Sequence, residues 1–254
     1  MPDVPAPDIA AIVLHYGEKE EHERLTHRAV ETLKRSLEFT HQSFSILVVD
    51  DAGPRPYVPT DGEPVHRLRE NVSLAAAFNV GIAKAPSTER LLLVTNDTVW
   101  PRFTVHMLLR ALELPKAAIV APMMDDPGAG ILYRAAPEPH APEKGVSISE
   151  WEAFLTDNQY TLSDAFVPAN HVDNTAWMIT RELVDRVGVF DEAFNGPGSW
   201  YANQDWCRRA WDAGLMVGYV PRAFIHHCKR ATRGDSYATQ AEVVGRAQFH
   251  AKWG

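Results

Sequence analysis

Apolar residues in this chain gather into short unbroken runs instead of alternating with polar ones. Ile9 to His15, Phe44 to Asp50 and Leu91 to Val94 are each almost wholly apolar. A strand with one wet face alternates, whereas a strand covered on both faces has no position to give to a polar side chain. The three runs therefore predict central strands of a sheet with helices on both sides. Between the first two, Leu25, Ala29, Val30, Leu33 and Leu37 recur at a spacing of about 3.6 within Lys19 to Phe39, which predicts an amphipathic helix. Strand, helix and strand in that order, with apolar strands, predict a parallel βαβ unit.

The pattern continues along the chain. Ala52 to Pro64 holds four prolines and two glycines and reads as a loop. Val65 to Arg69 predicts a short strand, Asn71 to Ala85 a small-residue helix packed close on the sheet, Phe103 to Leu114 a helix, and Ala117 to Pro122 a further strand. Met123 to Glu143 is rich in Pro, Gly and Ala. It separates a nucleotide-type first half, 1–122, from an irregular, substrate-facing second half, 123–254, of one α/β domain. In that second half, Ser147 to Asp157 predicts a helix with Trp151 and Phe154 on one face, and Ala165 to Thr180 predicts strands around a polar insert, His171 to Thr175. A short helix over Arg181 to Val187 precedes an aromatic-flanked turn, Gly188 to Phe194. A helix over Ala202 to Ala213, closed by Gly214, follows the Gly196-Pro197-Gly198 loop. Leu215 to Val220 and Ala223 to His227 read as two short strands, Arg230 to Tyr237 as a basic loop, and Thr239 to Trp253 as a closing helix.

Composition narrows the setting. With 254 residues and 45% apolar content, the chain can bury a sizeable core. A net charge of -8 argues against a nucleic acid partner gripped mainly by a basic surface, although a local basic groove would survive that average. Cys207 and Cys228 form no close pair, which favours free thiols in a reducing, cytoplasmic setting. Met1 to Ala10 lacks the positive start and apolar core of a secretion signal, and no run approaches the roughly 18 apolar residues of a membrane span.

Candidate chemistry lies where the apolar runs stop. Phe44 to Asp50 ends in Asp50 and Asp51, and Leu91 to Val94 runs into Thr95-Asn96-Asp97, so these carboxylates share the carboxyl edge of the predicted sheet. That edge is where open α/β sheets bind ligands. For Asn96 and Asp97 the other reading is a cap on the helix starting near Pro101. Asn71 and Asn79 stand out because Asn is a poor helix-interior residue, better suited to a cap or a contact.

These segments, taken in order, resemble the family 2 glycosyltransferases of the GT-A fold over nearly the whole chain. His15-Tyr16-Gly17 falls at the family's first nucleotide-contacting turn. Val48-Val49-Asp50-Asp51 resembles its valine-valine-aspartate turn, and Asn71 to Asn79 with Gly81 its asparagine-rich helix start. Thr95-Asn96-Asp97 stands where the family carries its DXD motif, reduced here to one carboxylate. Gly188 to Phe194, Asp205 to Arg209 with Gly214, the strand ending at His227, and Phe249 with Lys252-Trp253-Gly254 resemble later signatures.

The resemblance implies an enzyme that moves a sugar from a nucleotide-sugar donor to the hydroxyl of a glycan or other acceptor, with inversion. The donor half would be 1–122 and the acceptor half 123–254. It implies a divalent metal, Mn²⁺ or Mg²⁺, held by Asp97 and His227, with His226 as a competing ligand because strand neighbours face opposite ways. Donor contacts would come from His15, Tyr16, Asp50, Asn71, Asn79, Asn96, Asp97 and Arg230, the last in a basic loop with Lys229 and Arg233. The family's usual Glu-Asp pair falls on Ala202-Asn203, neither of which takes a proton at neutral pH. Asp205 is then the nearest candidate general base, followed by Asp191 and Asp173. Trp177, Trp200, Tyr201 and Trp206 are candidates to line an acceptor cleft. Two rival readings stay open: a phage-type transferase acting on hydroxymethylated bases of DNA, allowed by the basic loop, and a non-catalytic nucleotide-sugar or glycan-binding protein, motivated by the missing pair.

Overall fold

A computed structural model describes residues 5–124, 153, 164–194, 199, 201–228 and 235–254, the stretch 235–242 as backbone only. The expectations for Asp125 to Glu143, nearly all of Ser147 to Asp157, Gly196 to Gly198, Trp200, Lys229, Arg230 and Arg233 lie outside the described residues.

In chain order the elements are β1 (Ile9–His15), α1 (Glu20–Glu38), β2 (Phe44–Asp50), β3 (Val65–Arg67), α2 (Leu74–Lys84), β4 (Arg90–Thr95), β5 (Thr98–Val99), α3 (Thr104–Leu112), β6 (Ala117–Met124), β7 (Val167–Pro168), β8 (Ala176–Thr180), α4 (Arg181–Val187), α5 (Ala202–Asp212), β9 (Met216–His227) and α6 (Asp235–Trp253). The strands form a sheet in the order β3-β2-β1-β4-β8-β6-β9-β5, with β7 also paired to β9. Pairing is parallel across β3, β2, β1 and β4 and between β6 and β9. It is antiparallel where β8 inserts between β4 and β6, so the sheet is mixed beyond β4.

The unbroken apolar runs are buried on both faces. Ala10, Ile12, Leu91 and Leu93 pack into one layer with Phe78, Ile82, Leu183 and Trp206 of α2, α4 and α5. Their neighbours Ile9, Ala11, Val13, Leu92 and Val94 pack into the opposite layer with Val30, Leu33 and Leu37 of α1 and Leu108 of α3. Each large aliphatic side chain buried this way contributes about 1.5–3 kcal/mol. Trp177 and Trp206 belong to this core, the second with its ring centroid 4.3 Å from that of Phe190, so neither lines a cleft.

Several boundaries differ from the sequence expectation: β6 runs on to Met124, the closing helix begins at Asp235 inside the expected loop, and two others differ for local reasons. Helix α2 starts at Leu74, not Asn71. The Ser73 hydroxyl accepts from Ala76 N at 3.2 Å, and the buried Ser199 hydroxyl accepts from Ala75 N at 2.9 Å. The two short strands expected after Gly214 are one strand, β9, whose register against β6 jumps between Pro122↔Val220 and Met123↔Phe224. Pro221 lies in the skipped stretch, where a missing N–H suits an irregularity in the ladder.

The closing helix is locked down by charge. Asp205 on α5 has no exposed surface, and both its oxygens are taken. Oδ2 accepts from Arg209 Nε at 2.9 Å, while Oδ1 accepts from Trp253 Nε1 at 2.9 Å and from Lys252 Nζ at 2.7 Å. Lys252 also reaches Asp191 Oδ2 at 2.7 Å, and Arg209 donates onward to the carbonyls of Val187 and Val189. Asp205, expected as the candidate base, is thus fully engaged in the structure. A fully buried carboxylate shared by an arginine, a lysine and an indole anchors α6 to α5 instead. Asp191, expected as a second base, is the outer post of the same clamp; Lys252 and the Ala193 N–H hold its carboxyl below the usual carboxylate range.

Three outcomes follow from this packing. Gly81 of α2 lies so close to β1 that an added Cβ would sit 2.4 Å from Ile12 Cγ2, a fixed methyl in the core. Gly81→Val is expected to lower stability by about 1–3 kcal/mol in denaturant unfolding, through overpacking. Asp205→Ala is expected to cost about 1–3 kcal/mol, because it removes the buried acceptor shared by Arg209, Lys252 and the Trp253 indole; an unchanged unfolding midpoint would rule out the clamp. Asp191 is ionised more readily folded than unfolded, so its contribution is complete above the unfolded value of about 3.9 and is lost as pH falls through the lower folded one. Acid unfolding of Lys252→Met should accordingly show a shallower loss of stability below about pH 4 than the parent.

Candidate active site

Strand β1 pairs with β2 on one side and β4 on the other, while α1 and α2 leave by opposite faces of the sheet. The carboxyl ends of β1 and β4 therefore part into the crevice where open α/β sheets take their ligands. His15 and Asp50 are register partners at this edge, and Thr95 closes β4 beside them. Two glycines let the rim loops touch. An added Cβ on Gly53 would lie 2.6 Å from Gly17 N, and one on Gly17 would lie 2.5 Å from Arg55 O. The Arg55 N–H donates to Gly17 O at 2.8 Å across that contact.

The first two carboxylates of the edge face inward. Asp50 is fully buried, and its Oδ2 accepts from Arg67 Nη1 at 2.6 Å and from Tyr57 N at 3.0 Å. Arg67 holds Gly53 O at 2.8 Å with its other nitrogen, so one guanidinium fixes both the strand end and the loop. Asp51 accepts from Val72 N at 2.8 Å and from Asn71 Nδ2 at 2.8 Å, which ties the approach to α2 onto β2. Asn71 itself is exposed at the rim, as is part of Tyr16, whose hydroxyl donates to Glu18 Oε1 at 3.1 Å.

Beneath the switch point lies a buried polar knot. His15 Nδ1 is 2.7 Å from Thr26 Oγ1, His15 Nε2 is 3.3 Å from Arg55 O, and Asn96 Nδ2 donates to Thr26 Oγ1 at 3.1 Å. Burial depresses the His15 pKa, partly offset by Arg55 O, so the ring is neutral and carries one N–H. The Thr26 hydroxyl donates to His22 O at 3.0 Å, so Thr26 also ties this knot to the first turn of α1. Both His15 and Asn96 thus brace α1 against the ends of β1 and β4, and His15 presents no surface to a ligand.

Asp97 and His227 come together at the outer lip of the crevice. The two-residue strand β5 runs antiparallel to the end of β9, with Thr98 opposite His227 and Val99 opposite His226. Cys228 N donates to Asp97 O at 2.7 Å, continuing the pairing. The result sets His227 Nε2 3.3 Å from Asp97 Oδ2, while Thr95 Oγ1 donates to Asp97 Oδ1 at 2.8 Å. Burial opposes charge on Asp97, yet His227 and the Thr95 hydroxyl outweigh it and hold the carboxyl below its ordinary value. His226, the competing histidine, is buried. Among the described residues no group of three or more His, Cys, Asp or Glu side chains could hold a metal ion, so Asp97 and His227 offer two donors only.

The second half closes over this edge through side-chain amides. Asn79 of α2 donates to Phe190 O and to Glu192 Oε1, each at 2.9 Å, and accepts from Phe190 N at 3.0 Å. It joins α2 to the 188–194 turn and has one hydrogen-bonding position left. Asn203 of α5 donates to Val172 O at 2.9 Å, and Thr95 N donates to Thr175 O at 2.9 Å. The polar insert 171–175 is therefore brought beside Asp97. Burial depresses the pKa of its His171, opposed by the nearby Asp173. Arg67, Thr26, Thr95 and Thr175 are organising residues that sequence reasoning missed; the one legible signal was a basic residue in the short strand after the proline-rich loop.

No family model matches the chain. Uncharacterized proteins of Mycobacterium bovis and Mycobacterium tuberculosis are 28% identical over 214 residues, covering 84% of this chain and 72% of theirs. Among solved structures, the mannosyltransferase PcManGT from Pyrobaculum calidifontis, in complex with GDP-Man and Mn²⁺, matches with a TM-score of 0.62 at 16% identity, over 98% of this chain and 64% of that one. GalNAc-T7 with UDP, GalNAc and Mn²⁺ matches at 0.63 and 13% identity, over 87% and 43%. S. aureus TarS 1-349 in complex with UDP matches at 0.54 and 16% identity, over 95% and 65%. The chain spans less than two thirds of the length of each of these three structures. At these identities the likeness is one of architecture: the chain has the mixed α/β fold of the GT-A-type glycosyltransferases.

Proposed function

We propose that this protein is a family 2 type glycosyltransferase, moving a sugar from a nucleoside diphosphate donor to an acceptor hydroxyl with inversion. The observation that carries the reading is the meeting of Asp97 and His227, from distant parts of the chain, at the carboxyl edge of a GT-A-type sheet. Residues 1–122 would hold the donor and 123–254 the acceptor. Tyr16 and Asn71, exposed at the rim, and Asp97 would touch the nucleotide. Asp50, His15 and Asn96 support the backbone on which the nucleotide lies.

A carboxylate and an imidazole suit Mn²⁺ or Mg²⁺, with diphosphate oxygens and water completing the coordination. Such an ion supplies charge neutralisation at the leaving diphosphate. The chain's own part is to keep Asp97 ionised: the Thr95 hydroxyl and the His227 ring do so at a buried lip where an unpaired carboxylate would take up a proton. Two protein donors are few, and that supports a site that assembles around the nucleotide instead of storing the ion. The non-catalytic alternative draws on one observation, the loss of Asp205 as an available base to the α6 clamp.

Calorimetric titration of UDP- and GDP-sugars, with Mn²⁺ and with chelator, tests the reading. Metal-dependent binding of one donor is expected, and Asp97→Ala should weaken it by about 100-fold, roughly 2.8 kcal/mol. Equal affinity with and without metal, or in the Asp97→Ala variant, would overturn the assignment.

A further inference from the structure

We propose that His15 is a proton-driven latch on the donor crevice: a nucleoside diphosphate bound there draws a second proton onto the imidazole, and Nε2 then donates to Arg55 O and fixes the loop that follows β2. The inference rests on the donor reading above. It makes His15 a positioning residue, since the buried ring does not touch the ligand.

The hydrogens of the polar knot can be counted. Thr26 Oγ1 has one, donated to His22 O at 3.0 Å, and two lone pairs, one of which accepts from Asn96 Nδ2 at 3.1 Å. The second lone pair faces His15 Nδ1 at 2.7 Å, so Nδ1 carries the single N–H of the neutral ring. His15 Nε2 therefore turns a lone pair toward the oxygen of Arg55. Their separation is 3.3 Å, just beyond the usual range of an N–H···O bond. One more proton turns that contact into a hydrogen bond and gives both ring nitrogens an acceptor.

Space and charge around the ring fit the change. The Arg55 N–H already donates to Gly17 O at 2.8 Å, and an added Cβ on Gly17 would lie 2.7 Å from His15 Nε2, so loop, turn and ring edge touch. The charged and titratable side chains that act on the ring are Glu23 and His22 of α1, Asp50 of β2 and Tyr57 of the loop, whose ring centroid is 5.4 Å away. Asp50 and Glu23 favour the second proton and His22 opposes it. Arg67 and Arg55 in turn hold Asp50 and Glu23, at 2.6 and 3.5 Å. On the β4 side stands the neutral Asn96 amide, and Asp97 beyond it is engaged by His227. Burial outweighs these groups and the pull of Arg55 O, which keeps the ring neutral. A diphosphate adds negative charge at the same sheet edge, where the protein interior screens it poorly, and tips the balance toward imidazolium. The proton affinity of His15 is then low in the free protein and higher in the complex. Donor binding takes up a proton between those two values, so donor affinity rises as pH falls through the upper one and levels off below the lower.

Calorimetry of GDP-mannose, UDP-glucose and UDP-N-acetylgalactosamine with Mn²⁺, in buffers of low and high ionisation enthalpy, counts the proton; these diphosphate diesters do not titrate near neutrality. The donor that binds should carry up to one proton into the complex, and its affinity should rise by up to about tenfold per pH unit on acidification. His15→Asn keeps an amide for Thr26 and has nothing at the Nε2 position, so it should bind the donor more weakly and lose the parent's excess uptake. Any proton exchanged at His227 is common to both proteins and cancels in that difference. Nitrogen-15 spectra of the histidine-labelled parent read the same event without a variant: on donor binding at about pH 7, His15 Nε2 should move from the unprotonated to the protonated shift. An Nε2 that stays unprotonated in the donor complex, or equal uptake by folded His15→Asn, would overturn the latch. A parent that binds none of the three donors with Mn²⁺ counts instead against the transferase reading, and the latch goes with it.

Discussion

Burial of β4 on both faces is the constraint from which the site follows. Leu91 to Val94 contact opposite helical layers in alternation, and the strand is flanked by β1 and β8. A strand so enclosed cannot slip in register without moving polar residues into the core or apolar ones out of it. Its end is thereby fixed, and so are the positions of Thr95, Asn96 and Asp97. Everything polar at the carboxyl edge is arranged relative to that end: the His15 and Thr26 knot on one side, the 171–175 segment on the other, and β9 at the lip.

Such an edge concentrates buried charge, and the chain handles it in two ways. Asp50 and Asp205 are paired with cations and hydrogen-bond donors, and they hold elements together: β2 to its loop, and α6 to α5. Asp97 is paired with a neutral-capable histidine and a hydroxyl instead. The difference matters chemically. A guanidinium or ammonium saturates a carboxylate and competes with any incoming cation, whereas an imidazole and a hydroxyl leave room for one. The fixed cations thus lie behind the lip, Arg67 on Asp50 and Arg209 with Lys252 on Asp205.

Much of this was legible in the sequence. The unbroken runs of β1, β2 and β4 announce two-sided burial, and their ends place Asp50, Asp51 and Asp97 on one edge without any coordinates. The pairing of Asp97 with His227 came from resemblance and not from periodicity, because β5 is two residues long and carries no readable pattern. The surroundings of Asp205 were hidden for a related reason. An acidic residue in the first turn of a helix reads the same whether it faces solvent, a ligand or a lysine from the far end of the chain. Only the docking of Lys252 and Trp253 decides it. Asn79 likewise reads as an anomaly in a helix, and what it bonds is set by a turn more than a hundred residues on.

Three polar contacts that cross between the two halves of the chain share one feature. Asn79 to Phe190, Ser199 to Ala75 and Thr95 to Thr175 each join a side chain or strand end at the crevice to a backbone group on the other half. Backbone groups are present whatever the side chain, so such contacts tolerate sequence change on one partner and demand a specific amide, hydroxyl or strand end on the other. The Ala202-Asn203 pair fits that logic. Asn203 grips the Val172 carbonyl from inside the second half, and so completes the frame around the 171–175 segment. The amide holds that loop by its carbonyl, and the pairing of β4 with β8 fixes where the loop leaves the sheet.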